Sequence, residues 1–144
     1  WYPAAFEVGE HRYSTAEHYM MAQKALLFGD EAVFERVLQA AHPKEVKALG
    51  RQVLHYQQDV WEAQRFDIVK AANLAKFSQH ADLQAFLLAT GKQVLVEASP
   101  VDKIWGIGLA ADHAHATQSP KWQGLNLLGF ALMQVRAQLQ NTKQ

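Results

Sequence analysis

Ala5-Phe6-Glu7-Val8-Gly9-Glu10-His11-Arg12-Tyr13-Ser14-Thr15-Ala16-Glu17 is the stretch on which the fold turns. Apolar and polar residues alternate on both sides of Gly9-Glu10, which predicts a hairpin closed by a two-residue turn. Ser14 and Glu17 then match an S-x-x-E capping box, so the chain is expected to run from the hairpin directly into a helix ending near Phe28.

Helical signals dominate the chain beyond that point. Asp30 opens a second amphipathic helix with Val33, Phe34, Val37 and Leu38 on one face. Pro43 stands where a third helix would have its first residue, and that helix is expected to run toward Leu54. Asp59 and Glu62 repeat the capping-box spacing for a long helix to about Ser78. A shorter helix, Asp82 to Ala89, stops before Gly91. Gln93 to Ala98 reads as a strand, and a last helix is expected from about Asn126 to Leu139, with Asn126 as its N-cap. The fold class that follows is α+β: a single, mostly helical domain over residues 1–144 with a few short strands. The exception is Ser99 to Gly124, a long loop holding Trp105 and several glycines. Connections of roughly 25 residues in compact domains usually carry function.

Composition narrows the classes. The 144 residues are 49% hydrophobic, enough to exclude a disordered tail, and 14 basic side chains balance 14 acidic ones. That balance argues against a protein that coats nucleic-acid phosphates. The absence of cysteine excludes a disulfide framework, a zinc–thiolate site and a thiol nucleophile. No apolar run approaches the roughly 20 residues of a membrane span. The chain opens on Trp1 rather than Met and shows no signal peptide, so a cytoplasmic domain whose native start lies upstream is expected.

Several residue groups could carry chemistry. Glu17, Met21 and Lys24 lie at i, i+4 and i+7 and share one helix face. A carboxylate and an amine two turns apart on an apolar helix suit a cleft, where a desolvated lysine becomes a nucleophile and the carboxylate a base. The plainer reading is a capping carboxylate and a surface lysine. Asp102 and Trp105 follow Glu97 at the end of the expected strand, and carboxylates beside a Trp could cradle a ribose or a cationic sugar transition state. Asp102 could equally cap a turn. Arg51 could contact phosphate or simply face solvent. Trp61, Phe66 and Phe77 fit core spacing on the long helix. Gly106-Ile107-Gly108-Leu109-Ala110-Ala111 matches G-x-G-x-x-A but follows no strand directly, and no acidic residue occurs after Asp112 to hold a ribose, so it is not a dinucleotide fingerprint. Asp112-His113-Ala114-His115 offers metal-ligand types without an evident third ligand, and no metal site is assigned.

Taken together, the blocks resemble a known family. Tyr13-Ser14-Thr15-Ala16-Glu17-His18-Tyr19-Met20-Met21-Ala22-Gln23-Lys24 is similar to the signature of the NADAR (YbiA-like) family. So are Ala48-Leu49-Gly50-Arg51, Ala75-Lys76-Phe77-Ser78-Gln79-His80, Leu87-Leu88-Ala89-Thr90-Gly91, Leu95-Val96-Glu97-Ala98-Ser99-Pro100, Asp102-Lys103-Ile104-Trp105-Gly106-Ile107-Gly108 and Gly124-Leu125-Asn126-Leu127-Leu128-Gly129. The resemblance runs in order from Trp1 to about Leu139. It implies an α+β enzyme domain that cleaves N-glycosidic bonds without metal or organic cofactor, and an N-terminal strand preceding Trp1. Two substrate classes are implied, ribosyl-phosphate intermediates of the riboflavin pathway and ADP-ribosyl groups on guanine, the latter including ADP-ribosylated nucleic acid. Carried onto this sequence, Glu17, Lys24 and Asp102 would be catalytic, and Arg51, Trp105, Gly106, Gly108 and Asn126 would bind substrate. A non-catalytic nucleotide-binding module is the alternative, since it would keep Trp105 and the glycines without needing Glu17 and Lys24 together.

Overall fold

The computed structural model describes residues 4–111, 113, 116, 119 and 122–142. Among these residues the fold is α+β and mostly helical, with six helices and one two-stranded sheet. The chain divides between Gln84 and Ala85 into two compact units.

The first unit begins with the expected hairpin, β1 (Phe6–Val8) against β2 (His11–Tyr13), antiparallel and in the register Phe6↔Tyr13, Glu7↔Arg12, Val8↔His11. Gly9 takes a φ of +62°, the left-handed value that a two-residue hairpin turn with glycine at its first central position requires. Helix α1 (Ala16–Leu27) follows, but its cap is Thr15 and not the Ser14–Glu17 box. Thr15 Oγ1 accepts the His18 N–H at 3.2 Å, and the same hydroxyl meets His18 Nδ1 at 2.7 Å. On its other side His18 Nε2 donates to Ala40 O at 2.8 Å, so this buried imidazole joins the start of α1 to the end of α2. Helix α1 is buried around most of its circumference because α2, α3 and α4 all pack on it. A central helix of this kind keeps no broad solvent-facing side, so Glu17 and His18 are buried along with its apolar residues.

Asp30 caps α2 (Glu31–Gln39) as expected, Oδ1 accepting the Val33 N–H at 3.1 Å. Pro43 is the first residue of α3 (Pro43–Gly50), which stops short of Leu54. The reason is a competing acceptor: the Leu54 N–H donates to Asp30 Oδ2 at 2.9 Å, out of any helical ladder. Helix α4 (Gln58–Gln79) begins one residue before Asp59, with Gln57 at the cap and no side-chain cap bond. The expected Asp59–Glu62 box is not formed; Glu62 instead accepts from Gln58 Nε2 at 3.0 Å. Trp61 is buried as a core residue, whereas Phe66 and Phe77 are only half-buried. At the far end of α4, Gln79 exchanges two hydrogen bonds with the Glu7 backbone and His80 Nε2 meets Ala5 O at 2.6 Å. Helix α4 therefore runs antiparallel to α1, its last residues holding the hairpin that leads into α1.

Helix α5 (Ala81–Ala89) carries the chain across the division and ends ahead of Gly91, whose φ is +62°. In the second unit the expected strand at Gln93 to Ala98 is absent. Its backbone groups are taken up singly instead of by a ladder. Gln93 O accepts from Arg136 Nη2, Leu95 O from Asn126 Nδ2, the Glu97 N–H donates to Asn126 Oδ1, and Glu97 O accepts from Ile107 N. Helix α6 (Leu127–Thr142) closes the chain and runs past the expected end at Leu139. Asn126 stands just before it, yet its side chain faces the 95–97 segment and does not cap the helix.

Candidate active site

In the first unit, Lys24 lies in the last turn of α1 with its amine over two aromatic rings. Nζ is 4.6 Å from the centroid of Tyr56 and 5.6 Å from that of Trp61. Three features deliver Tyr56 to this place. The Asp30–Leu54 bond ties down the segment after α3, His55 adopts a left-handed φ of 61°, and the Phe28 ring packs edge-on against Tyr56 at 5.4 Å. Arg51 arrives by close helix packing. Gly50 sits so near the Met21 side chain that a Cβ there would collide with it, and Arg51 is the next residue.

The electrostatics of Lys24 follow from these neighbours. Burial strips water from the ammonium and lowers its pKa from the usual 10.5, the positive charge of Arg51 lowers it further, and the carboxylate of Glu17 opposes both. The rings favour the charged form, as cation–π contacts do. Glu17 is buried, two turns before Lys24 on the same helix. The arrangement is an amine made easier to deprotonate, in electrostatic reach of one cation and one carboxylate.

The second unit holds the remaining candidates. Asp102 Oδ1 accepts the N–H groups of Ile104 at 3.1 Å and Trp105 at 2.8 Å, so this carboxylate does cap a turn. Trp105 is half-buried just beyond it. Gly106 and Gly108 are each required by the unit's own backbone. A Cβ on Gly106 would lie 2.7 Å from Glu97 O and 2.8 Å from Asp102 O, and Gly108 has a φ of +73° with Gln123 alongside. Asn126 is fully buried, its φ is 52°, and its amide bridges Leu95 O and the Glu97 N–H at 3.0 Å each. Residues 101–111 contain neither helix nor strand, as expected if the glycine pair is no dinucleotide fingerprint. Of the Asp112-to-His115 run, only His113 is among the described residues.

The structure thus brings Glu17, Lys24 and Arg51 together in the first unit, and Asp102, Trp105, Gly106 and Asn126 in the second. Sequence reasoning missed Tyr56, which sits in a polar stretch far from Lys24 and carries no periodic signal. It treated Trp61 as core alone, although its spacing on the buried face of α4 would have allowed it to line a site as well.

The NADAR domain family model matches residues 1–140. The chain belongs to the NADAR domain family. It is 46% identical to an N-glycosidase of Acanthamoeba polyphaga mimivirus over 97% of this chain and 85% of the relative. An N-glycosidase of Nostoc punctiforme is 37% identical over 96% of this chain and 82% of that protein. The NMR structure of the Escherichia coli protein YbiA superposes with a TM-score of 0.80 at 34% identity, covering 98% of this chain and 76% of that one. The mostly helical NADAR fold is shared along nearly the whole chain.

Proposed function

We propose that this NADAR domain breaks the bond between the anomeric carbon of a ribosyl phosphate and an amine nitrogen, with a ribotide intermediate of the pyrimidine type found early in riboflavin synthesis as substrate. The chain is an N-glycosidase, a hydrolase of N-glycosyl compounds, in keeping with its relatives. The observation that carries the mechanism is the Lys24 amine held at Tyr56 and Trp61 beside Arg51 and Glu17.

The ribosyl ring opens as the bond from the anomeric carbon to the ring oxygen breaks, the oxygen taking a proton and the substrate nitrogen forming a C=N bond to that carbon. Neutral Lys24 then adds to the same carbon, a proton passes from its nitrogen to the substrate nitrogen, and the bond to the substrate amine breaks. The amine leaves with a proton, and the sugar stays on Lys24 as an imine. Water hydrolyses the imine, releasing the sugar aldehyde, which recloses, and restoring Lys24. Glu17 carries the proton between these steps and balances the positive charge that develops at the sugar. The residues of the second unit are given no step in this scheme.

The test presents the protein with an aminopyrimidine ribotide and, separately, with ADP-ribosylated guanosine, and follows release of free base. Release from the ribotide is expected, together with a sugar adduct on Lys24 when borohydride is added during turnover. Release only from the guanosine substrate would move the reading to de-ADP-ribosylation. A fully active Lys24→Arg protein with no adduct in the parent would remove the covalent step.

A further inference from the structure

Arg65 takes no part in the scheme above, and its surroundings are unusual for an arginine. Its Nε is buried and finds no hydrogen-bond partner among the described residues. A buried donor left unmatched on a charged group is expensive, so such groups are normally paired. Arg65 stands one turn after Trp61 on the buried stripe of α4 that continues through Val69 and Ala72. Trp61 is level with Lys24, and α4 runs antiparallel to α1. Arg65 therefore lies about 6 Å along α4 from the level of Lys24, toward the level of Glu17 about 10 Å away. It shares the face of α4 that carries Trp61, at a level along the helix between those of the two groups assigned to the chemistry.

We infer that Arg65 is an anion-binding residue of this site and takes a phosphate oxyanion of the substrate. The guanidinium fork matches two phosphate oxygens, and Nε is one of the donors in that fork. The inference rests on the N-glycosidase reading for the identity of the substrate, but not for the existence of the anion site. The unmatched Nε stands whatever the reaction. Phosphate on the sugar of a ribotide and the diphosphate of an ADP-ribosyl group share this chemistry, and the two are separated by which substrate responds.

The experiment uses inorganic phosphate, ribose 5-phosphate and ribose as probes of thermal stability in the parent, Arg65→Met and Arg65→Lys. Phosphate and ribose 5-phosphate at low millimolar concentration raise the melting temperature of the parent, and ribose does not. Arg65→Met loses that rise while its own ligand-free melting temperature equals or exceeds the parent's, because an unmatched charged donor has been removed. Arg65→Lys keeps part of the rise. In turnover, the preference of kcat/KM for a phosphorylated ribotide over its dephosphorylated nucleoside falls about 10- to 100-fold in Arg65→Met, the loss of a charged hydrogen bond. A phosphate effect of equal size in parent and Arg65→Met overturns the inference, and so does a phosphate effect in neither. Collapse of the ligand-free Arg65→Met protein also overturns it, because the guanidinium would then be holding the fold. Arg65-dependent phosphate binding without cleavage of any N-glycoside leaves the anion site standing and removes the N-glycosidase reading. Cleavage with a phosphate preference indifferent to Arg65 does the reverse.

Discussion

Lys24 is acted on in opposite directions by two neighbours of opposite charge, and that makes its titration a direct probe of the site. Burial and Arg51 lower its pKa from 10.5 while Glu17 raises it. Reactivity of the amine toward an acylating reagent, mapped to Lys24 by mass spectrometry across pH, is expected to rise with a midpoint below 10.5. Arg51→Gln moves that midpoint up, because a cation that disfavoured the ammonium is gone. Glu17→Gln moves it down, because the compensating carboxylate is gone. The same Glu17→Gln protein loses about 100- to 10,000-fold in kcat, the range for removing a group that transfers protons. A capping role cannot account for such a loss, since Thr15 is the cap. Tyr56→Phe keeps the ring under Nζ and leaves the midpoint near the parent's, whereas Tyr56→Leu shifts it. Identical midpoints in the parent and Arg51→Gln would take Arg51 out of the electrostatics of the site.

Among the elements, the second unit depends on Asn126. Its amide replaces a neighbouring strand for Leu95 and Glu97, and its backbone N–H donates to Gly106 O at 2.9 Å. Asn126→Ala is expected to destabilise the protein by about 1–3 kcal/mol, since it leaves two part-buried backbone groups unmatched. Chemical denaturation measures this, and a loss under 1 kcal/mol would mean that water or a neighbour supplies the missing bonds. The same residue shows what the sequence could express. Segments whose signals are local were legible: the Gly9 turn, the Asp30 cap, Pro43 at a helix start and Gly91 after a helix end. The extended, β-branched character of 93–98 was legible too, but it led to a strand because nothing local says that an asparagine some thirty residues later will match those groups. Helix α3 ends at Gly50 for the same kind of reason, a carboxylate at position 30 capturing the N–H of residue 54. In the site, Glu17 and Lys24 were legible from helical spacing within one element. Tyr56 and Arg65 were not, because their places depend on how α4 and the segment before it pack on α1.

For the whole molecule, the buried charges set how stability depends on pH. Asp30 is held below its usual 3.8, chiefly by the N–H groups of Leu54 and Val33, so its contribution is present above that pH and is lost as pH falls through the depressed value. On the alkaline side two kinds of group act against each other. Burial lowers the pKa values of Lys76 and Lys24 below 10.5, so the folded state releases their protons before the unfolded state does, and stability rises with pH across that interval. Burial raises Tyr13 and Tyr19 above 10.0, and their contribution is lost as pH rises through the folded values. Stability should therefore climb above neutrality before falling beyond about pH 10. Lys76 allows this to be tested away from the catalytic residues. It is buried on α4, its charged contact is the Phe77 ring at 5.8 Å, and desolvation is the cause of its shift. Lys76→Met keeps the length of the aliphatic chain and removes the buried charge. At pH 7 it is expected to be more stable than the parent by about 1 kcal/mol, or about 3 °C in Tm. The difference should shrink as pH rises, because the parent then sheds the same charge. Melting curves of both proteins between pH 6 and about pH 10 measure it. A Lys76→Met protein that melts below the parent at pH 7, or a difference that stays constant with pH, would show that the amine is well solvated in the folded state and that the alkaline rise has another source.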